Sequence, residues 1–334
     1  MKISACYIVK DEEKNLPKSI ESLKDAVDEI IVVDTGSVDN TPAIAKFDFN
    51  AMLFHEAWQN DFSAPRNKAL SHATGDWIIF LDADEYFTEE TAKNLRLVIE
   101  KMDKTSKNGI LIHLVNIDED EDNKILDATF TLRISRNLRG LEYVGKIHEE
   151  LRLKGKELKN LVALPAKFLT LEHTGYSASK NRAKAERNLK MLLKEMEHSK
   201  TPQKFYGYLA QCYNGIDDFV NAEKYAKMDI KTDVVYENYS SSSFRILLSI
   251  LSRDEKRLNE RIKIAQQASN EFNDMPDFYA ELAECYAEQK NFGAAIESMK
   301  TALEKFQTYN GTETSIFDER LAEVAKQRII SWQK

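Results

Sequence analysis

The chain has 334 residues, of which 43% are hydrophobic and 31% are charged, and its formal net charge is −8. This length predicts about two domains, and the acidic balance argues against a general binder of nucleic acids or anionic membranes, since such binding needs a basic surface. No apolar run approaches the roughly 18 residues of a membrane helix, and the N-terminus enters a strand rather than a signal peptide. We therefore expect a cytoplasmic protein without a membrane span.

Residues 1 to about 175 alternate predicted strands and helices. Apolar runs predict strands at 3–9, 29–34, 52–54, 77–81, 110–116 and 129–134, and helical spacing predicts helices at 16–27, from 39 or 41, and at 66–73. Strands separated by helices imply right-handed crossovers and a largely parallel sheet. The last two strands have no long helix between them, so we expect the sheet to be mixed at one edge.

From about residue 180 onward the pattern is helical only and contains an internal repeat. The residues Tyr206, Leu209, Ala210, Cys212, Tyr213, Phe219 and Ala222 recur at a constant offset of 73 as Tyr279, Leu282, Ala283, Cys285, Tyr286, Phe292 and Ala295. The spacing is typical of two tetratricopeptide units of about 34 residues plus a few more. A degenerate unit is predicted between them, from Tyr239 to Phe272, and 181–200 is a first or capping helix. We place the domains at 1–178 and 179–334.

The most informative segment is the apolar strand 77–81, which runs directly into Asp82, Ala83 and Asp84. In α/β sheets, ligands bind just beyond the carboxyl ends of the strands. Carboxylates there suit Mg²⁺ or Mn²⁺, which prefer oxygen ligands and often share them with phosphate groups and water. The simpler interpretation is an acidic turn from a strand into a helix.

Three further motifs precede these acids in the chain. Residues 9–16 (Val-Lys-Asp-Glu-Glu-Lys-Asn-Leu) close the first strand and open a helix, and 33–41 (Val-Asp-Thr-Gly-Ser-Val-Asp-Asn-Thr) close the second strand. Residues 61–70 (Asp-Phe-Ser-Ala-Pro-Arg-Asn-Lys-Ala-Leu) place a guanidinium near a helix start. In this order, together with Asp82 and Asp84, the motifs resemble the inverting glycosyltransferases of family 2. The fused repeats resemble a bacterial subgroup that includes peptide S- and O-glycosyltransferases acting on bacteriocin precursors.

The resemblance implies a GT-A fold, a Rossmann-like α/β domain with a mostly parallel mixed sheet, followed by an all-α tetratricopeptide-like domain. It implies a UDP-sugar donor, Mn²⁺ or Mg²⁺ as cofactor, and Asp84 as a metal ligand. The residues implied in binding the nucleotide-sugar are Val9, Asp11, Glu12, Asp34, Arg66, Asp82 and Ala83. Carboxylates can accept the N–H of uracil and the hydroxyls of ribose, and a guanidinium suits a diphosphate. Each of three residues also has a simpler structural interpretation: Asp34 as a turn or helix cap, Glu12 as an acid at a helix start, and Arg66 in a surface ion pair.

Two later segments supply candidates for the base and for a second metal ligand. Inverting transfer needs a base that takes the acceptor proton. The candidates are Glu149 first and His148 second, which follow a predicted strand and Gly145. The alternative is a solvated helix start. His173, in the segment 172–176 that ends with Tyr176, matches the region from which some GT-A enzymes bring a histidine to the metal, and imidazole is an acceptable ligand for Mn²⁺. A histidine satisfied at a strand end is the alternative.

The acceptor expected from the resemblance is a peptide Ser, Thr or Cys side chain, with a cell-surface glycan or lipid as the alternative. Two other functions are weighed: a non-catalytic repeat adaptor that senses a nucleotide-sugar, and a nucleotidyltransferase. The full carboxylate set disfavours the adaptor, which would need neither a metal nor a base. The acidic segment 10–13 disfavours the nucleotidyltransferase, which would need a Gly-rich basic loop near the first strand. The apolar end segment predicts either a homodimer through the C-terminal helices or a helix that folds back as a cap. Its residues are Ile316, Phe317, Leu321, Val324, Ile329, Ile330 and Trp332.

Overall fold

Two units make up the computed structural model, Met1–Asn181 and Arg182–Lys334. It describes residues 1–175, 178–234, 240–311, 313 and 315–334. Within them, the strands are β1 Ile3–Val9, β2 Glu29–Asp34, β3 Met52–His55, β4 Trp77–Asp82, β5 Glu85–Phe87, β6 Gly109–Asp118, β7 Lys124–Arg136, β8 Leu141–Val144, β9 Glu150–Leu153, β10 Lys156–Glu157, β11 Leu161–Ala163 and β12 Thr170–His173.

The helices that accompany the strands are short. They are α1 Leu16–Glu21, α2 Thr41–Ala43, α3 Ser63–His72, α4 Glu89–Ala92 and α5 Leu95–Asp103, with a π-helical turn at Ile44–Asp48 and 3₁₀ turns at Lys24–Ala26 and Glu119–Glu121. The predicted first helix is too long, because it ends at Ser22, where the hydroxyl bonds back to the carbonyl oxygen of Ser19 at 2.7 Å. Such local bonds compete with helix continuation.

The sheet of the first unit has the mixed order β3-β2-β1-β4-β7-β6-β12-β5, with β11 also paired to β6. Strands β1 to β4 pair in parallel in the order β3-β2-β1-β4, whereas β7 runs antiparallel to both β4 and β6. A smaller sheet contains β8, β9 and β10. The prediction of a mainly parallel sheet that becomes mixed at one edge is confirmed, as are the bounds of β1 and β2.

Both faces of the parallel strands are covered by apolar side chains. Ile3, Ala5 and Tyr7 of β1 belong to one buried cluster, and Cys6 belongs to a second cluster on the other face. This arrangement explains the unbroken apolar runs, since a strand buried on both faces has no polar alternation. All three cysteines are buried and free of disulfides.

The long hairpin β6–β7 is irregular at two places. Ile110 pairs with Ile134 and Leu111 with Leu132, so Arg133 is an extra residue in β7. A second shift lies between Asn116 and Ile117, next to Leu126. Each extra residue is a β-bulge, which bends a strand and re-aims its side chains. The acidic run 118–122 divides at the tip of this hairpin: Asp118 is buried at the end of β6, whereas residues 119–122 are exposed.

The second unit is helical and contains the predicted repeats. Its helices are α6 Ala178–His198, which begins before the unit boundary, α7 Tyr206–Gly215, α8 Phe219–Asp229, α9 Ser242–Leu251, α10 Leu258–Glu271, α11 Pro276–Glu288, α12 Phe292–Thr308 and α13 Glu319–Trp332, with 3₁₀ turns at Pro202–Phe205 and Glu255–Arg257. The pairs α7–α8 and α11–α12 hold the two repeat motifs at the 73-residue offset, and α9–α10 forms the pair between them. The start of that middle unit at Tyr239 lies outside the described residues. The α/β domain followed by helical repeats is confirmed.

Small and apolar side chains of the repeat motif fill equivalent buried positions in both hairpins. Leu209, Ala210, Cys212 and Ala222 are buried, as are Leu282, Ala283, Cys285 and Ala295. The alanines allow the paired helices to approach closely. In the described part of the chain, no helix is both long and apolar enough to cross a bilayer.

The final helix α13 packs against α11 and α12 through part of its apolar set. Phe317 is buried, and Leu321, Ile329 and Trp332 pack on the same cluster, which includes Met299. The remaining three are exposed at 62%, 48% and 48%, namely Ile316, Val324 and Ile330. The C-terminal segment therefore folds back as a cap with four of the seven predicted residues, Phe317 before α13 and Leu321, Ile329 and Trp332 within it.

Candidate active site

The carboxyl ends of β1, β2 and β4 bring the first predicted site residues together. Val9 pairs with Asp34, and Ile8 pairs with Asp82, because β1 lies between the two other strands in parallel register. Ala83 follows and is buried. The motifs that lie far apart in the chain thus meet at one edge of the sheet.

The loops after β1 and β2 are bonded to each other through Asp11. Its backbone is left-handed (φ 55°), its amide donates to the Ser37 hydroxyl at 2.9 Å, and its carboxylate accepts from the Val38 amide at 2.7 Å. Asp34 is 3% exposed and accepts hydrogen bonds from the amides of Gly36 and Ser37. The turn-capping interpretation of Asp34 is therefore seen directly.

His55 is a site residue that the sequence reasoning missed. Its Nδ1 lies 3.3 Å from Oδ2 of Asp34, because β3 pairs with β2 so that the two residues are register partners. The His55 side chain is 67% exposed. The histidine at the end of a short predicted strand was the available signal, but only the strand pairing connects it to Asp34.

Glu12 lies at the start of α1. Its amide donates to the Thr41 hydroxyl at 2.7 Å, and its carboxylate accepts from the Asn15 side chain at 2.7 Å. Its carbonyl oxygen accepts from the amide of Leu16, the first residue of α1. The structure thus shows the contacts expected of a helix-start residue.

Arg66 is buried rather than in a surface pair. From α3 it donates to Oδ1 of Asp82 at 2.8 Å and to Oε1 of Glu149 at 2.5 Å. Its guanidinium lies 4.7 Å from the ring centre of Phe80 and 5.4 Å from that of Tyr143. A planar cation can bond two carboxylates while its faces contact aromatic rings. Arg66 therefore holds Asp82, at the end of β4, and the predicted base Glu149 together.

Arg133 is a second cation of the cluster, half-buried, and the sequence reasoning did not identify it. It donates to both oxygens of Glu85, at 2.8 and 2.5 Å, and lies 3.3 Å from Oδ2 of Asp82. Glu85 is 1% exposed. Burial raises the pKa of the Asp82 carboxyl, but the guanidiniums of Arg66 and Arg133 outweigh it and hold that pKa below its usual range. The available signal was a charged residue between the apolar residues Leu132 and Ile134 of a predicted strand.

Asp84, two residues beyond Asp82, meets His173 at the end of β12. The Nε2 atom of His173 lies 3.5 Å from Oδ2 of Asp84, and its Nδ1 is 2.7 Å from Oδ1 of Asn116. The amide of Thr174 donates to the carbonyl oxygen of Asp84 at 3.1 Å, which ties the end of β12 to the acidic turn. The predicted pair of metal ligands therefore shares one location.

The donor atoms of this pair fit a divalent cation. A carboxylate and an imidazole are acceptable ligands for Mn²⁺, and Mg²⁺ favours sites with few carboxylates plus phosphates and water. Among the described residues, no three or more His, Cys, Asp or Glu side chains meet in a group that could hold a metal by themselves. The remaining ligands would have to come from a bound diphosphate and water.

The segment before β9 carries the two base candidates. Glu149 reaches Arg66, as described, and its side chain is 12% exposed. His148 has a left-handed backbone (φ 52°) that turns the chain between Gly145 and β9. The hydrogen bond from Arg66 thus brings Glu149, the first candidate, into the cluster at the carboxyl ends of the strands.

Curated relatives and solved structures resemble parts of this chain. The glycosyltransferase SunS of Bacillus subtilis is 32% identical over 195 residues, which cover 57% of this chain and 44% of SunS. A tetratricopeptide-repeat protein of Synechococcus elongatus is 52% identical over 99 residues, 30% of this chain and 24% of that protein. The chain thus spans less than half the length of these relatives.

The crystal structure of Staphylococcus aureus TarS 1–349 in complex with UDP-GlcNAc aligns over 98% of this chain and 92% of that chain, with 15% identity and a TM-score of 0.40. The family model of glycosyl transferase family 2 matches residues 4–181, just over half of the chain. On this match the chain belongs to glycosyl transferase family 2.

Proposed function

We propose that this chain is an inverting glycosyltransferase that moves a sugar from a UDP-sugar to an acceptor hydroxyl or thiol, with Mn²⁺ or Mg²⁺ as cofactor. The observation that carries the proposal is the pair Asp84–His173 beside Asp82, at the carboxyl ends of parallel strands. Membership of family 2 supports the reaction class. The residues that hold the nucleotide are Val9, Asp11, Glu12, Asp34, Arg66, Asp82 and Ala83.

The nucleoside is proposed to bind over the loops after β1 and β2. The Asp11 and Asp34 carboxylates lie there, and a carboxylate keeps acceptor sites beyond those used by backbone amides. Arg66 acts by holding Asp82 and Glu149 in place rather than only by facing the diphosphate, since both its hydrogen bonds to carboxylates are made inside the protein.

The leaving group is proposed to lie next to Asp84 and His173. When bound there, Mn²⁺ or Mg²⁺ offsets the negative charge that grows on the departing diphosphate. Asp84 and His173 would supply one oxygen and one nitrogen ligand. Asp82, held between two guanidiniums, keeps its charge and faces the same edge.

Glu149 is proposed as the base, with His148 second. The acceptor oxygen or sulfur forms a bond to the anomeric carbon from the face opposite the diphosphate, the bond from that carbon to the diphosphate oxygen breaks, and the acceptor proton passes to the Glu149 carboxylate. UDP leaves with the electron pair of the broken bond. One Glu149 oxygen stays with Arg66, and the carboxylate has a second oxygen for the proton.

The acceptor is proposed to be a peptide side chain, with a glycan or lipid as the alternative. The support is the helical repeat unit, because stacked helix pairs form extended surfaces that bind other chains. A homodimer through the C-terminal segment is proposed as well, since Ile316 before α13 and Val324 and Ile330 on α13 remain exposed, whereas Leu321, Ile329 and Trp332 of that helix pack inward.

The experiment is a panel of UDP- and GDP-sugars with Mn²⁺ or Mg²⁺, scored for release of the nucleoside diphosphate. Hydrolysis requires no knowledge of the acceptor. We expect release from at least one UDP-sugar, its loss with a chelator, and tighter UDP binding in calorimetry when the metal is present. Release only from GDP-sugars, or release and UDP binding that are indifferent to the chelator, would contradict the proposal.

A further inference from the structure

A chain of three side chains extends from the hairpin β6–β7 to the proposed metal site. The Asn116 amide nitrogen donates to Oδ1 of Asp127 at 2.5 Å, and the Asn116 oxygen lies 2.7 Å from Nδ1 of His173. Asn116 is 5% exposed. The contacts follow from strand pairing, because Asn116 is the register partner of Asp127 on β7 and of His173 on β12.

This chain has a fixed direction of hydrogen bonding. An ionised carboxylate only accepts, so Asp127 draws the NH₂ group of Asn116 toward itself. The amide oxygen of Asn116 then faces His173, and an oxygen of this kind only accepts. Nδ1 of His173 must therefore carry the proton. In the neutral ring, this leaves the lone pair on Nε2, the atom 3.5 Å from Asp84.

We propose that Asn116, oriented by Asp127, is a positioning residue that fixes the tautomer and ring orientation of His173 toward a cation shared with Asp84. The inference rests on the metal site of the proposed function. Partners that hold the second nitrogen of a metal-binding histidine change metal affinity by about 10- to 100-fold. A buried amide that bonds both neighbours is placed to do this.

The first test reads the tautomer without any metal. The six histidines are labelled with ¹⁵N, and His173 is assigned with the His173→Gln variant, at a pH about two units above the ordinary histidine pKa of about 6.5. We expect the Nδ1–H tautomer in the wild-type chain and a shift toward Nε2–H in Asn116→Leu. A wild-type Nε2–H tautomer, or a spectrum that Asn116→Leu leaves unchanged, would overturn the inference.

A double variant distinguishes the direction of the hydrogen bonds from the packing of the Asn116 side chain. Asn116→Asp with Asp127→Asn exchanges the carboxylate and the amide, so that residue 116 still accepts from His173 while residue 127 donates. We expect the Nδ1–H tautomer to return in the double variant. Asp127→Asn alone lets the two amides pair in either direction, and a mixture of tautomers is expected. If the exchanged pair gives the same tautomer as Asn116→Leu, the direction of the hydrogen bonds does not set the tautomer of His173.

The second readout is the affinity for Mn²⁺ in saturating UDP, followed by calorimetry. We expect Asn116→Leu to weaken it about 10- to 100-fold. The matched control is Asn137→Leu, which removes amide hydrogen bonds to the carbonyl oxygens of Ala73 and Gly75 at the opposite end of β4, and should leave Mn²⁺ affinity unchanged. Equal affinities in the wild type and Asn116→Leu would overturn the inference. A wild-type chain with the expected tautomer but no Mn²⁺ binding would overturn the proposed metal site and leave the positioning of His173 in place.

Discussion

Nε of Arg66 lies 2.5 Å from Oε1 of Glu149, so the proposed base is joined to the helix that follows β3. This contact fixes where the base lies before any acceptor arrives. A base positioned in advance contributes about 10²- to 10⁴-fold to a proton transfer.

We expect Glu149→Gln to lower acceptor turnover by about 10²-fold or more, because an amide can still accept from Arg66 but cannot take the proton. UDP binding should change little. Turnover and UDP affinity are measured side by side. The matched control is Glu150→Gln, the neighbouring residue, which pairs with Arg152. An inactive Glu150→Gln beside an active Glu149→Gln would remove Glu149 from the mechanism.

We expect Asp84→Ala to reduce turnover by about 10²-fold or more, since it removes a proposed ligand and thereby the stabilisation of charge on the leaving group. The fold should persist, measured by circular dichroism and thermal melting. Asp120→Ala, in the exposed hairpin tip, is the control and should keep full activity. Near wild-type turnover of Asp84→Ala would contradict the assignment of Asp84 as a metal ligand.

We expect Arg133→Met to lower the free energy of unfolding by about 3 kcal/mol, because it leaves the buried Glu85 carboxylate without its cation. Urea titration measures this. The double variant Glu85→Gln with Arg133→Met should recover part of the loss, since residue 85 then carries no charge. Arg139→Met changes an exposed arginine of the same domain and should have little effect. A stable Arg133→Met single variant would contradict the argument.

Glu29 should make stability depend on acid pH. Burial raises its pKa, but hydrogen bonds from its neighbours outweigh this and lower the pKa from an ordinary 4.5 to about 2. The side-chain donors are Lys2, Ser4 and Thr74. A depressed folded pKa stabilises the native state above the unfolded pKa, and this stability is lost as pH falls through the folded pKa.

The free energy of unfolding is therefore expected to differ between the wild type and Glu29→Gln by the order of 2 kcal/mol at neutral pH. The difference should shrink as pH falls from about 4.5 toward about 2. Urea titrations at several pH values measure it, with Glu142→Gln, an exposed glutamate, as the control. A pH-independent difference would show that Glu29 acts by packing alone.

The exposed apolar residues of α13 predict self-association. We expect the full chain to scatter light as a dimer at tens of micromolar and the double variant Val324→Glu with Ile330→Glu to scatter as a monomer, because buried glutamates would lack partners in the interface. Val220→Glu, at another exposed valine (81%), is the control and should remain dimeric. A wild-type monomer would rule the dimer out. Removal of α13 is a poorer test, since it uncovers Met299 and its neighbours.

The sequence predicted what depends on neighbours along the chain. Unbroken apolar runs gave the bounds of β1 and β2, because a strand buried on both faces has no polar positions. The sequence could not predict the environments of His55, Asn116 and Arg133, since these depend on which distant strand lies alongside. The repeats could be predicted because their packing is local. Each helix hairpin buries the same small residues at equivalent positions, so the sequence pattern recurs.

The bulge at Arg133 also decides which face of the sheet Asp127 lies on. Ile110 and Asn116 are six positions apart on β6, an even number, so they face the same side. Their partners Ile134 and Asp127 are seven positions apart, an odd number, and an unbroken β7 would turn Asp127 to the opposite face. The extra residue Arg133 takes up one position of β7, so Asp127 faces the same side as Asn116. Deleting Arg133 itself would leave six positions on both strands, so a regular β7 would keep Asp127 opposite Asn116, whereas a deletion elsewhere between Ile134 and Asp127 that kept the bulge would turn Asp127 away.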